Sequence, residues 1–162
     1  MTDHSDNVVV HLAAARASRE QAGRLDALRV TVGQLDELSD RLQRISPHSG
    51  WPAKRWMIAS TPFRKRLARA RGGLDDLGRM GFLGEPDAVR WTLELGYARY
   101  NAEKHMHAIM ACLHVLQHAD ASPAERARET EIFALSRSDL LTALREIRQL
   151  IAGRFPGVLS EC

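Results

Sequence analysis

Apolar residues recur at steps of three and four positions along most of this chain, as they do on one side of an α-helix. Over residues 7–45 no proline interrupts this pattern, and its apolar positions include Leu25, Leu28, Val32, Leu35 and Leu42. Glu37 precedes Arg41 by four positions, which is the favourable order for an ion pair on an exposed helical face. The pattern therefore predicts a long amphipathic helix over 7–45, with a kink near Gly23, where glycine weakens the helix.

Residues 46–61 lack this periodicity and contain two prolines and one glycine, so we predict an irregular loop there. Pro62 follows two hydroxyl residues, and proline at the first helical position is typical of a helix start because no hydrogen-bond donor is lost. We therefore predict a short helix over 62–71. A pair of glycines separates it from a further short helical piece over 74–80.

Two further helices are predicted in the second half of the chain. Pro86 marks the start of a helix over 86–120 that nothing interrupts. Ser122 and Glu125 have the spacing of a capping box, with a proline between them at the first helical position, which predicts a last helix over 123–153. No segment alternates as a half-buried strand does. We therefore predict an all-α, single-domain helical bundle of three long helices and one short basic helix, similar to a four-helix bundle.

Composition narrows the class of protein. The 162 residues are 44% hydrophobic and 27% charged, which is typical of one soluble globular domain. Cys112 and Cys162 are too few for a disulfide framework or a cysteine metal site. The acidic start of the chain does not resemble a secretory signal, and no run of about 18 apolar residues is present to span a membrane. We expect a cytoplasmic protein that does not bind membranes.

Charge is unevenly distributed along the chain. Residues 41–74 contain nine Lys or Arg and no Asp or Glu, so of the 23 basic and 20 acidic residues the rest of the chain holds 14 and 20. One segment therefore carries +9 and the remainder −6, a separation that suits an anionic partner. The candidate anion-binding residues are Lys54, Arg55, Arg64, Lys65, Arg66, Arg69 and Arg71, with Trp51 and Trp56 interleaved.

Several partners satisfy such a segment. Guanidinium groups bind phosphate, sulfate or carboxylate with two bonds, and tryptophan rings stack on nucleobases or guanidinium groups. A nucleic acid, a small anion or the acidic surface of another protein would therefore fit. The acidic parts of the first and last helices of the same fold would also fit, and Trp51, Trp56 and Phe63 would equally plug one end of a bundle. The sequence leaves these alternatives open.

Four of the seven histidines lie within residues 105–118 of the predicted third helix. His114 and His118 are four positions apart, the spacing with which one helix binds a metal ion from two sides, and His107 shares their face. These three are the metal-ligand candidates, and His11 or His48 would have to assist. Metal-dependent four-helix proteins of the DinB and hemerythrin type place such a pair on one helix, and the chain is similar to them in length and in that pair. The alternative is half-buried histidines hydrogen-bonded to their neighbours.

Enzyme motifs are largely missing, and no motif indicates a cofactor. Tyr100, Glu103 and His107 are the candidates for acid/base catalysis, provided that they face a pocket. Whether the chain is an enzyme stays open at this stage. Our leading hypothesis is a non-catalytic interaction or accessory protein that associates with another protein or with itself and holds an anionic partner on the basic segment. The alternatives are a sequence-nonspecific nucleic-acid-binding protein and a metal-dependent or acid/base bundle enzyme.

Overall fold

Four long α-helices make up most of the described chain. A computed structural model gives the structure of residues 3–84 and 87–159, with the side chains of 12–82, 84 and 87–159 described. The helices are α1 (Asp3–Arg44), α2 (Ala53–Arg79), α3 (Ala88–Leu116) and α4 (Pro123–Arg154), and short 3-10 helices cover Phe82–Gly84 and Pro156–Val158. No strand occurs among these described residues. The predicted all-α helical bundle is confirmed.

Buried side chains repeat every seven residues along the helices. On α2 they are Trp56, Ser60, Phe63, Leu67, Ala70, Leu74 and Leu77, at alternating steps of four and three. On α4 the same alternation runs through Phe133, Ser136, Leu140, Ala143 and Ile147. A seven-residue repeat keeps one seam of each helix facing its neighbours, which is the packing typical of four-helix bundles.

The helices form an antiparallel ring, and α3 packs most extensively on α4 and α1 on α2. The side-chain contacts that show the directions join Glu37 with Arg69, Arg64 with Gln117, His105 with Asp139, and Asp36 with Arg148. In each pair of neighbouring helices a second contact lies earlier on one helix and later on the other: Thr31 with Gly73, Gly78 with Arg99, Trp91 with Leu150, and Arg29 with Gly157 just after α4. The basic helix α2 therefore lies between α1 and α3, with its outer surface exposed.

Aromatic clusters close both ends of the bundle. One contains Trp51, Trp56, Phe63 and Phe133, and the other contains Phe82, Trp91 and Phe155. In the second cluster the Trp91 indole donates a hydrogen bond to the Leu150 carbonyl at 2.8 Å, so its polar atom is satisfied where it is buried. The first cluster is the plug that the sequence offered as one alternative for its tryptophans.

The prediction for α2 was wrong in its bounds. The loop expected over 46–61 ends at Pro52, and the helices expected over 62–71 and 74–80 are one continuous helix with Pro62 inside it. Pro62 removes the backbone hydrogen bond to the Ile58 carbonyl and its ring crowds that carbonyl, while the hydroxyls of Ser60 and Thr61 both donate to the Met57 carbonyl at 3.0 Å. Burial of the seven-residue repeat outweighs this local cost. The basic helix is therefore long.

The other helices differ less from the prediction. α1 continues without interruption through Gly23 to Arg44. α3 begins at Ala88, with Asp87 as its N-cap, and ends at Leu116 rather than 120. Pro86, the predicted start, lies outside the described residues. α4 begins at Pro123, and its predicted capping box is confirmed by the bonds from Ser122 N to Glu125 Oε2 at 2.8 Å and from Glu125 N to Ser122 Oγ at 3.2 Å.

The hydrogen bond from the Ser122 backbone also lowers the pKa of the Glu125 carboxyl below its ordinary value.

Among the described residues, none of the helices has the length and the apolar character needed to cross a membrane.

Candidate anion-binding surface

The solvent-facing side of α2 carries all seven basic candidates, which we call the basic face: Lys54, Arg55, Arg64, Lys65, Arg66, Arg69 and Arg71. Successive residues of a helix are rotated by about 100°, so Lys54 and Lys65 lie on the outermost line. Arg66 and Arg69 are displaced toward α1, and Arg64 and Arg71 toward α3. At about 1.5 Å per residue, the face is roughly 25 Å long.

Few of these cations are neutralised within the fold. Arg69 pairs with Glu37 at 3.3 Å, and both side chains are about half exposed. The other six have no carboxylate oxygen within 4.0 Å among the described residues. Arg64 donates instead to the Gln117 side chain at 2.9 Å, and Arg66 to the Pro62 carbonyl at 3.2 Å. Internal pairing with acidic residues of α1 and α4 therefore accounts for only one cation of the face.

The two tryptophans do not offer free rings to a ligand. Trp56 is 0% exposed and packs edge-on against Phe133 with ring centroids 5.8 Å apart. Trp51 is half-buried, with the Arg55 guanidinium 4.2 Å from its ring centroid and the Trp56 ring at 5.0 Å. Trp56 was therefore wrongly included as a surface contact, because it lies about 200° around the helix from Lys54. Trp51 orients Arg55.

Two apolar residues missed by the sequence analysis belong to the same surface. Met57 and Ile58 are 53% and 63% exposed and follow Lys54 on the first turns of α2. They fell inside the predicted loop, where no helical face could be assigned to them. A helix prediction beginning at residue 53 would have placed Ile58 between Lys54 and Lys65. The basic face thus contains a small apolar area.

Two shallow depressions border the basic face. One, of about 330 Å³, lies between α2 and α3 and is lined by Arg64, Arg71 and Met110 among others. The other, of about 700 Å³, lies at the end of the bundle beside Trp51 and Lys54. Neither is lined by the acid/base candidates of α3. The depressions that border the basic face are therefore separate from the acid/base candidates of α3.

The acid/base candidates do not form a catalytic group. Tyr100 is 65% exposed, and the Glu103 carboxylate lies 3.7 Å from the Arg99 guanidinium. His107 Nδ1 is 2.9 Å from the backbone carbonyl of Glu103, so this nitrogen donates and does not contact the carboxylate. In the described part of the chain these three side chains are therefore on the outer surface of α3, and none of them lines the depressions beside the basic face.

The histidines are also not gathered into a metal centre with three or more ligands. In the part of the chain that the structure describes, no group of three His, Cys, Asp or Glu side chains is arranged to hold an ion. His114 and His118 do meet, with their Nε2 atoms 3.4 Å apart. His107 is seven residues from His114, or about 10 Å along the helix, so it cannot share their ion. The His11 side chain lies outside the described residues, and His48 Nδ1 accepts from the Gly50 backbone at 3.0 Å.

Cys112 is a buried thiol. Burial, together with the neighbouring Glu129 carboxylate, raises its pKa to about 12. At neutral pH it is therefore protonated and a poor nucleophile.

These features define an all-α bundle with a largely unneutralised row of cations on one helix. No protein-family model, no curated protein and no solved structure matches the chain. What the surface can bind therefore follows from its own geometry and charge.

Proposed function

We propose that this protein is a non-catalytic interaction or accessory protein that holds an anionic partner along the basic face of α2. The observation that carries the proposal is the set of six cations without a carboxylate partner among the described residues, spread over one helical face. Because these cations stand on a rigid helix packed into a bundle, their spacing is fixed before the partner arrives. Binding then requires little ordering of the protein, which favours affinity.

An acidic amphipathic helix of another protein fits this surface best. Its carboxylates would meet the outermost cations, Lys54 and Lys65, and its apolar residues would cover Met57 and Ile58. Docking of one helix on another through apolar anchors flanked by complementary charge is a common mode of recognition. A second copy of the chain is another possible partner protein, and self-association stays a prediction.

Nucleic acid is less well supported than an acidic protein. Non-specific binding of single strands combines phosphate contacts with stacking on aromatic rings. Here Trp56 is buried, and one face of Trp51 is covered by Arg55. Phosphate contacts alone would remain, and their affinity would fall steeply as salt is added. The bundle-enzyme alternative has no group of three or more metal-ligating side chains to support it among the described residues.

Charge reversal tests the proposal. We expect Lys54→Glu with Lys65→Glu to weaken binding of a fluorescent acidic amphipathic helical peptide at least about tenfold, which is roughly 1.4 kcal/mol. The matched control is Lys104→Glu with Arg145→Glu, which makes the same change in net charge on exposed residues of α3 and α4. Fluorescence anisotropy at physiological salt measures all three proteins, and a peptide with the same composition in scrambled order reports on the apolar contribution.

The outcomes separate the alternatives. Equal affinity of the wild type and the two double variants would contradict the proposed surface. Preference for a single-stranded oligonucleotide over both peptides, with a steep linear dependence of log affinity on log salt, would replace it by nucleic-acid binding.

A further inference from the structure

The histidine pair at the end of α3 has the geometry of a metal clamp. His114 lies in the last turn of α3 and His118 two residues beyond its end, their Nε2 atoms are 3.4 Å apart, and their ring centroids are 4.8 Å apart. A tetrahedral ion with nitrogen ligands at about 2.0–2.1 Å holds any two of them about 3.4 Å apart. The two nitrogens are therefore separated by the distance that one shared ion requires.

The remaining described histidines have other partners. His48 Nδ1 accepts from the Gly50 backbone, His107 Nδ1 donates to the Glu103 carbonyl, and His105 Nε2 lies 3.8 Å from the Asp139 carboxylate. Among the described residues, the ring nitrogens of His114 and His118 have only each other. Both side chains are exposed, so an ion can reach them without crossing the core.

We propose that His114 and His118 form a bidentate site for one divalent transition-metal ion of the imidazole-preferring class, with Zn²⁺ as the representative ion. Imidazole nitrogen suits Zn²⁺, Cu²⁺ and Ni²⁺, whereas Mg²⁺ and Ca²⁺ require oxygen ligands. Two ligands from the chain leave two positions of a tetrahedral ion for water or for an outside ligand. The site is thus open, in contrast to structural zinc sites, which are closed by four protein ligands.

This site does not depend on the basic face of α2. It uses other residues, in the last turn of α3 and just beyond it, and it takes a cation, whereas the basic face takes an anion. Loss of metal binding and loss of peptide binding are therefore separate outcomes, measured on different variants.

The test uses the full chain without an affinity tag. Zn²⁺ is titrated in competition with a chromophoric chelator, and the variants are His114→Ala and His118→Ala. The matched control is His107→Ala, which removes an exposed histidine from the same face of the same helix. We expect one saturable ion per wild-type chain, at least a tenfold loss of affinity in either clamp variant, and no change in the control. Circular dichroism checks that each variant keeps its helices.

Electron paramagnetic resonance with Cu²⁺ as the probe gives an independent signature. Two coordinated imidazole nitrogens are expected in the wild type, and one or none in His114→Ala or His118→Ala. The proposal is overturned if the wild type shows no saturable Zn²⁺ binding. It is equally overturned if both clamp variants bind like the wild type, or if His107→Ala loses as much affinity as they do.

Discussion

The environment of Cys112 determines what its thiol can do. The side chain is 1% exposed, and the Glu129 carboxylate lies beside it with an exposed fraction of 15%. Ionising the thiol would place a second negative charge in a poorly solvated position, which raises its pKa from 9.0 to about 12. The same residue type in an exposed, electropositive position would be reactive. Here it is part of the core.

This shift makes stability depend on pH in the alkaline range. Because the folded pKa is about 12 and the unfolded value is 9.0, the stabilisation is fully present below pH 9 and is lost as pH rises toward 12. We expect this thiol to lower the free energy of unfolding by about 1 kcal/mol between pH 8 and pH 10. Urea unfolding of the wild type and Cys112→Ala at both values measures the difference. If the free energy of unfolding changed equally between pH 8 and pH 10 in the two proteins, the raised pKa of Cys112 would be contradicted.

The sequence could predict that basic residues are concentrated in a segment without acidic residues, but it could not predict which side of a helix each one occupies. The basic residues were identified because acidic residues are missing over 41–74. Trp56 was misplaced because adjacency along the chain says little about adjacency on a surface: Lys54 and Trp56 point in nearly opposite directions. The pairing of His114 with His118 was visible from their spacing, whereas the contact of His107 with a backbone carbonyl was not.

At the scale of elements, α2 shows how tertiary packing overrides local signals. Pro62 and the glycine pair are strong local signals for interruption, and they led to the prediction of two short pieces. The alternating spacing of four and three residues from Trp56 to Leu77 was also present in the sequence. It was not recognised because Ser60, a hydroxyl residue, occupies one of the core positions. Gly73 is buried where α2 approaches α1, and an added Cβ would lie 3.1 Å from Thr31 Cγ2 and 2.6 Å from the movable Gln34 Oε1. The close approach of α1 and α2 therefore explains why a residue without a side chain occupies position 73.

The other glycine gives a test of helix continuity. A Cβ at Gly72 would meet nothing within 4 Å, and the residue is exposed in the middle of α2. We expect Gly72→Ala to stabilise the protein by about 0.5–1 kcal/mol, because alanine loses less conformational entropy in a helix than glycine does. Urea unfolding monitored by circular dichroism measures the change.

The matched control is Gly81→Ala. Gly81 follows α2 with φ +63°, a left-handed conformation that alanine adopts at a cost of about 1 kcal/mol. A higher free energy of unfolding for Gly72→Ala and a lower one for Gly81→Ala would support a helix that runs through Gly72 and ends before Gly81. Destabilisation by both would instead indicate a turn at Gly72, as the sequence signals suggested.

At the scale of the molecule, the bundle uses only part of its longest helix. Buried side chains of α1 extend from Leu28 to Leu42, whereas the side chains of residues 12–24 are all exposed. This segment is rich in alanine and carries the ion pair of Arg16 with Glu20 at 3.0 Å, both of which favour helix without tertiary support. Its helix propagates from the packed part of α1, so it avoids the cost of nucleation.

Removing the first part of α1 should therefore leave the bundle almost intact. We expect deletion of residues 1–22 to change the thermal midpoint by less than about 2 °C, since the described side chains of this segment, 12–22, are all exposed. The control is Leu28→Ala, which removes a side chain that is 0% exposed from the packed part of the same helix. That substitution should cost about 3 kcal/mol and lower the midpoint by roughly 6–12 °C. Calorimetry measures both. A large drop in the thermal midpoint on deletion would mean that the first half of α1 packs against the bundle. A small drop for Leu28→Ala would mean that α1 contributes little to the core.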